Sequence, residues 1–418
     1  MRPEKKERML ILGAGAAGLS AADAIRSVNP DSPVTIVSGE KGLPYARMAL
    51  PYYISGKIPV KGIFTGMRRD FSGRKIEYIP GDPAVGLDTH RQKVLLRSGL
   101  ALEYGKLLVA TGSVPEYPDM LAGLDAPGIC NLWTLKDALQ IKRRIEHGGA
   151  IAVWGAGFVA FMAAKALAMH GRKVYLICRA NRILRRVLDE GAAGLMEHAL
   201  SEKGVVCLKD TNVEHIGVLK GGKKHIVLDG GRELAVDVLI VALGTRPNTG
   251  FLHETPLAGK KGLEVDEYLG TRIPGIYAAG DLALVRDCVT GERIAHALWS
   301  AAVREGRGAG LNMAGDRHQC DLSLLMNVID LGGYGAVSVG HPLLANNTEV
   351  YQFADKAGKA YRRLVFQDRR LIGAIIVGRC TDTGFFPALI RGVPELTQAR
   401  KQKILRFPWN IAPALLGL

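Results

Sequence analysis

Three glycines, Gly13, Gly15 and Gly18, follow the apolar run 9–12 and lead into small, helix-forming residues. This Gly-x-Gly-x-x-Gly spacing suits the pyrophosphate of a dinucleotide. Gly13 permits a tight turn, Gly15 lets backbone approach a phosphate, and Gly18 lets the helix pack closely on the strand. Amides around Ala17 and the positive end of the helix dipole then face the anion. The pattern returns at residues 151–164, where Gly155 and Gly157 keep the first two positions and Ala160 takes the third. Two copies in one chain predict two dinucleotide sites, one for a bound cofactor and one for an exchangeable one.

Each turn needs a strand before it, a helix after it and a second strand beyond. For the first, residues 33–37 supply the second strand, and Glu40 stands just past it. An acid there commonly binds an adenosine ribose, although Glu40 lies somewhat further along than the usual ~20 residues; a solvated surface glutamate is the alternative. For the second, the strand 174–177 runs into Cys178, Arg179, Ala180, Asn181 and Arg182, with no acid for a ribose 2′-hydroxyl. Arg179 and Arg182 favour a 2′-phosphate, hence NADPH over NADH, unless both merely face solvent. Residues 107–115 read as a buried strand ending in a Gly/Pro turn, and residues 236–249 as a second such strand and turn. Residues 297–315 read as a helix with small residues on one face. The last hundred residues alternate apolar segments at 324–330, 350–353, 361–366, 371–377 and 385–391, with a strand-turn-strand hairpin in outline at 365–374.

The chain has 418 residues, 48% of them hydrophobic and 23% charged, enough for two to four folded domains. Its net charge of +15 favours acidic partners. The basic residues fall in short scattered pairs with no aromatic-interleaved groove, so no nucleic-acid partner is expected. Six cysteines in no paired spacing argue against a redox disulfide, a zinc site or a cysteine-ligated cluster, and no metal site is expected. They fit reduced thiols in a cytoplasm. The charged residues 1–8 lead straight into the glycine turn, which does not fit a signal peptide, and no apolar run reaches the ~20 residues of a spanning helix.

The segment 43–56, with Pro44, Tyr45, Arg47 and Leu50, resembles the Pro-Tyr-x-Arg-x-x-Leu-Ser segment of FAD-dependent pyridine nucleotide-disulfide oxidoreductases. The branch it resembles lacks a redox-active disulfide and includes ferredoxin and rubredoxin reductases and the flavin part of nitrite reductase large subunits. Ala110-Thr111-Gly112 with Pro115 is similar to that family's outgoing crossing, and Ala242-Leu243-Gly244 with Arg246-Pro247-Asn248 to its return. Residues 278–281 match its Ala-Ala-Gly-Asp motif. The resemblance implies that Arg47 contacts the FAD pyrophosphate and ribose region and that Asp281 accepts hydrogen bonds from the ribityl chain. It places Trp299 near the flavin ring, with plain core as the alternative. His296 is either a proton donor or a satisfied histidine at a helix start. Met48 stands where relatives that reduce CoA disulfides or oxygen carry a redox cysteine. Tyr52 replaces a lysine near the flavin and Met162 the glutamate that pairs with it, so both halves of a charge pair are absent together, as the cost of an unpaired buried charge demands.

The expected architecture is α/β: two Rossmann-like dinucleotide-binding domains, one inserted in the other, plus a C-terminal α+β domain. The FAD domain is expected at 1–119 and 238–315, the NAD(P) domain at 120–237, and an interface or dimerisation domain with an apolar tail at 316–418. The tail either docks on its own domain or binds a partner. The expected activity is an FAD-dependent NAD(P)H oxidoreductase, passing electrons from NADPH or NADH through flavin to an acceptor without a redox cysteine. The acceptor is a protein, such as an acidic ferredoxin or rubredoxin, or a small molecule, and the chain is a homodimer or part of a hetero-complex. The alternative is a flavin-bearing electron-transfer subunit of a larger complex, with a vestigial or regulatory second nucleotide site. Tyr52, Met162 and Trp299 are the flavin-proximal candidates, and no catalytic residue is assigned.

Overall fold

A computed structural model describes residues 7–64, 71–121, 126–355, 357, 359–380, 383–392 and 395–406. The chain divides into two compact units, Met1–Ala49 with Ile58–Val114 and Thr245–Ser323, and Leu50–Lys57 with Pro115–Gly244 and Leu324–Leu418.

The first unit is built on a five-stranded parallel sheet in the order Ile276–Ala278, Lys106–Val109, Met9–Leu12, Val34–Ser38, Ile76–Pro80. The inner strands are buried along their whole length, as a parallel sheet covered on both faces requires; hence they read as continuous apolar runs with no alternation. The helix Ala16–Val28 lies against the helix Trp299–Met313, and their small residues let the backbones meet. A side chain at Gly306 would fall 2.1 Å from the Ala17 carbonyl oxygen. A three-stranded antiparallel sheet (Ala84–Asp88, Lys93–Leu96, Ala101–Glu103) is attached to the same unit.

The second unit repeats the plan. Its parallel sheet runs Val205–Leu208, Val174–Ile177, Ile151–Trp154, Val238–Val241, Ile129–Cys130. A three-stranded antiparallel sheet covers residues 213–236. The carboxy-terminal part is a five-stranded antiparallel sheet in the order Met326–Asp330, Gly335–Gly340, Arg370–Gly378, Tyr361–Gln367, Glu349–Ala354, with helices Phe386–Gly392 and Gln398–Arg406. The strand Gly335–Gly340 is absent from the sequence expectations; it is buried at all six positions, so it carries no period-two signal. The apolar tail at 407–418 lies outside the described residues.

The fold class is therefore the expected one: two Rossmann-like sheets and a carboxy-terminal antiparallel sheet domain.

The short helix Leu50–Ile54 groups with the second unit although it follows Arg47 closely in sequence. The Ile54 carbonyl accepts the Lys142 ammonium at 3.2 Å and lies 2.6 Å from His170 Nε2, which ties the helix down.

Candidate functional site: two open glycine turns

In the first unit, Gly13 has φ +114 and donates its N–H to the Val37 carbonyl at 2.8 Å. A Cβ there would lie 2.1 Å from the Ala110 carbonyl oxygen, and one at Gly18 1.9 Å from the Gly13 carbonyl oxygen. Both positions therefore exclude a side chain. Gly15 caps the helix Ala16–Val28 with no side-chain hydrogen bond, and a Cβ built on it meets nothing within 4 Å. Open space beside uncapped helix amides is what a phosphate requires.

Glu40, Tyr45 and Arg47 form one cluster in this unit. The Tyr45 hydroxyl donates to Glu40 Oε2 at 2.6 Å, and Arg47 Nη2 donates to Glu40 Oε1 at 2.6 Å. The guanidinium carbon also sits 5.8 Å from the centre of the Tyr45 ring. Thr111 donates its hydroxyl to the Asn248 carbonyl at 2.8 Å, and the Asn248 N–H donates to the Gly112 carbonyl at 2.9 Å. Asp281 accepts the Ser113 hydroxyl at 2.7 Å. Next to it, the Gly280 N–H donates to Glu305 Oε2 at 2.9 Å. Glu305 is 2% exposed, and burial pushes its carboxyl up to about 7, against smaller lowering effects of the Gly280 hydrogen bond and Arg304. Ser113, Asn248, Tyr45 and Glu305 received no role from sequence reasoning. All four lay within segments already singled out, at 107–115, 236–249, 43–56 and 297–315.

Trp299 opens the helix Trp299–Met313 and packs, partly buried, against the core of the first unit. His296 is buried, with Nε2 3.7 Å from Asp287 Oδ2, and neither side chain reaches solvent. Met48 is exposed.

In the second unit, Gly155 has φ +133 and donates to the Ile177 carbonyl at 2.9 Å; a Cβ there would lie 2.1 Å from the Ala242 carbonyl oxygen. Gly157 caps the helix Phe158–Ala168 without a side-chain bond and is open around its Cα, while Ala160 is fully buried. Gly244 has φ +141 at the end of this unit's segment, and its carbonyl accepts the Glu116 N–H at 3.0 Å. Beyond the strand Val174–Ile177, Cys178 is buried and donates its thiol to the Ala180 and Arg182 carbonyls at 3.1 and 3.4 Å. Burial raises that thiol above its ordinary range. The two arginines divide. Arg182 turns back, its Nε on the Leu188 carbonyl and its Nη1 on Asn181, both at 3.3 Å, whereas Arg179 is exposed. Tyr52 and Met162 line one pocket with Pro51, Ser55, Lys57, Lys165, Ala166 and Met169. The positions at which the charge pair was expected to be missing thus line a common pocket, which Lys57 and Lys165 also border.

None of the six cysteines is joined in a disulfide. Among the described residues, no group of His, Cys, Asp and Glu is arranged to hold a metal, and no helix is long and apolar enough to cross a membrane.

Comparison with known proteins gives a family profile, pyridine nucleotide-disulphide oxidoreductase, over residues 7–306, and a second, rubredoxin NAD+ reductase C-terminal domain, over 326–391. A subunit of Aromatoleum evansii, the NADH-dependent phenylglyoxylate dehydrogenase subunit epsilon, is 30% identical over 398 residues, 94% of each chain. The NADH-rubredoxin oxidoreductase of Clostridium acetobutylicum is 26% identical over 90% of this chain and 92% of its own. A crystal structure of a ferredoxin reductase from Rhodopseudomonas palustris superposes with TM-score 0.86 at 26% identity, over 98% of this chain and 100% of that one. With two glycine turns open to a dinucleotide and a family profile across most of its length, the chain belongs to the pyridine nucleotide-disulphide oxidoreductases, enzymes that work with a flavin and NAD(P)H.

Proposed function

We propose that this chain is an FAD-dependent NAD(P)H:acceptor oxidoreductase, with NADPH the preferred donor and an acidic electron-carrier protein the preferred acceptor. The observation that carries the reading is the pair of open glycine turns, one in each unit, with different ribose-binding chemistry beside them. Glu40 beside the first turn suits an unphosphorylated ribose. Arg179 beside the second, exposed and with no carboxylate among residues 178–182, suits a 2′-phosphate.

FAD, when bound at the first turn, would supply the hydride- and electron-transfer chemistry. The protein supplies position and charge. The turn at Gly13, Gly15, Ala17 and Gly18 cradles a pyrophosphate, and Arg47 offers it a guanidinium. Residues 110–112, laced to Asn248, hold the chain beside it. Asp281, oriented by the Ser113 hydroxyl, offers its carboxylate to a ribityl hydroxyl. At residue 48 a thioether replaces a thiol, so no cysteine carries the electrons onward. Tyr52 and Met162 bring no charge of their own to the pocket they line, and Trp299 is proposed to stand near the flavin ring. The net charge of +15 supports an acidic acceptor, since opposite charge raises encounter rates. Cysteines held as thiols and not in disulfides support a cytoplasmic setting. The segment 316–418 is proposed as the interface of a homodimer or hetero-complex.

An anaerobic titration with NADPH and, separately, NADH, followed at the flavin absorbance band, tests the reading. Bleaching by either nucleotide with a faster rate for NADPH is expected; a faster rate for NADH would remove the role given to Arg179. A second reading is favoured by one observation: a relative matching end to end is named as a subunit of a larger dehydrogenase. On that reading the chain is the flavin-bearing subunit of a complex and its second nucleotide site is regulatory. A flavin silent to both nucleotides, with another polypeptide co-purifying, would favour it.

A further inference from the structure

We infer that Tyr45 is a positioning residue of the first dinucleotide site, holding the Glu40 carboxylate in the orientation that receives a ribose cis-diol; the inference rests on the reading of that site as the FAD site. A carboxylate has two oxygens and about four acceptor positions. The Tyr45 hydroxyl takes one position on Oε2 and Arg47 takes one on Oε1, each at 2.6 Å. One position therefore remains on each oxygen, enough to accept from two adjacent hydroxyls. Without Tyr45, the terminal torsion of Glu40 would be restrained only by Arg47, whose charge is also wanted by a phosphate.

The backbone around Glu40 is already fixed. Its N–H donates to Ser38 Oγ at 3.2 Å, its carbonyl accepts the Ser38 hydroxyl at 3.1 Å and the Gly81 N–H at 3.0 Å, and the Tyr78 hydroxyl donates to the Gly42 carbonyl at 2.9 Å. The remaining freedom lies in the Glu40 side chain. Tyr45 is itself held by an edge-on contact with Phe64, ring centres 6.4 Å apart, and by the Arg47 guanidinium over its face. The cluster keeps the Glu40 carboxylate pointed, so a ribose carrying a 2′-phosphate would meet oxygens already committed to accepting hydrogen bonds.

The test is a double-mutant cycle on flavin-stripped full-length protein, titrated with FAD. Tyr45→Phe keeps the ring and removes the donor; losing one hydrogen bond to a charged acceptor is expected to weaken FAD about tenfold. The thermal midpoint of the flavin-free protein is expected to stay unchanged. In a Glu40→Gln background, Tyr45→Phe is expected to add little further loss, because the tyrosine acts through the carboxylate. Unchanged FAD affinity in Tyr45→Phe, or the same tenfold loss in both backgrounds, would overturn the inference. Failure of the unsubstituted protein to bind FAD would overturn the reading of the site itself and the inference with it.

Discussion

Replacing Glu305 by glutamine should make the protein more stable at pH 8 and have a much smaller effect at pH 5. Glu305 sits 2% exposed on the helix Trp299–Met313, with the Gly280 N–H on its Oε2 at 2.9 Å. Burial dominates its environment and lifts its carboxyl from 4.5 to about 7; nearby Asp281 adds to the rise, while the Gly280 hydrogen bond and Arg304 oppose it. An acid whose folded pKa is raised binds its proton more tightly in the folded state. The stability it contributes is fully present below pH 4.5 and is lost as pH rises through 7. At 1.36 kcal/mol per unit, the full effect is about 3 kcal/mol. Glutamine keeps an oxygen for the Gly280 N–H and carries no charge, so the variant should escape this loss. Denaturant unfolding of both proteins from pH 5 to 8.5, plotted as variant minus parent, cancels the titrations they share. The difference should already approach about 1 kcal/mol at pH 5 and climb to about 3 kcal/mol, about half complete midway between the unfolded 4.5 and the folded value of about 7, and level above it. A flat difference, or a variant less stable at pH 8, would show that Glu305 is ionised throughout and held by partners that offset its burial.

Three further outcomes follow from the geometry. Gly18→Ala should prevent flavin retention and lower the thermal midpoint, because its methyl would lie 1.9 Å from the Gly13 carbonyl oxygen; a variant that purifies with a full complement of flavin would contradict the close packing. Arg179→Ala should reduce the preference for NADPH about tenfold through KM, by loss of a charge-assisted contact worth ~1.5 kcal/mol or more, while Arg182→Ala should leave the preference nearly intact. Steady-state kinetics with both nucleotides would separate the two arginines. Thr134→Ala removes a capping box, in which the hydroxyl accepts the Asp137 N–H at 3.2 Å and the Asp137 carboxylate accepts the Thr134 N–H at 2.7 Å. Chemical denaturation should register a loss of about 1 kcal/mol with turnover unchanged.

What could be read in the amino-acid sequence was what is local along it. The turns at Gly13 and Gly155 declare themselves because strand, glycine spacing and helix are consecutive, and both are open as that pattern implies. Glu40 and Arg47 stand close enough in sequence to be noticed, but the hydrogen bond that joins them through one carboxylate is a property of folded backbone. Glu305 meets Gly280 across 25 residues, and nothing in either segment announces the contact. Arg179 and Arg182 look equivalent as letters; only the path of the loop, which brings the Leu188 carbonyl to Arg182, separates them. The strand Gly335–Gly340 escaped because full burial erases alternation, and the grouping of the helix Leu50–Ile54 escaped because it is decided by Lys142 and His170, about a hundred residues away.

The bonds between residues 111–112 and Asn248 have a topological consequence. The chain leaves the first unit after Val114 and re-enters it at Thr245, and close to those two points the Gly112 carbonyl and the Asn248 N–H are 2.9 Å apart. Everything between them is, from the first unit's standpoint, a loop whose two ends already touch. Closing such a loop costs an entropy that grows only with the logarithm of its length, roughly 0.6 kcal/mol per doubling. Segments of very different size can therefore be spliced in at this point with little penalty to the unit that hosts them. The stretch carrying Gly155, Gly157 and Arg179 is in this sense a cassette: a segment with another nucleotide preference, entering and leaving through the same threonine and asparagine, could replace it while the host sheet stays as it is.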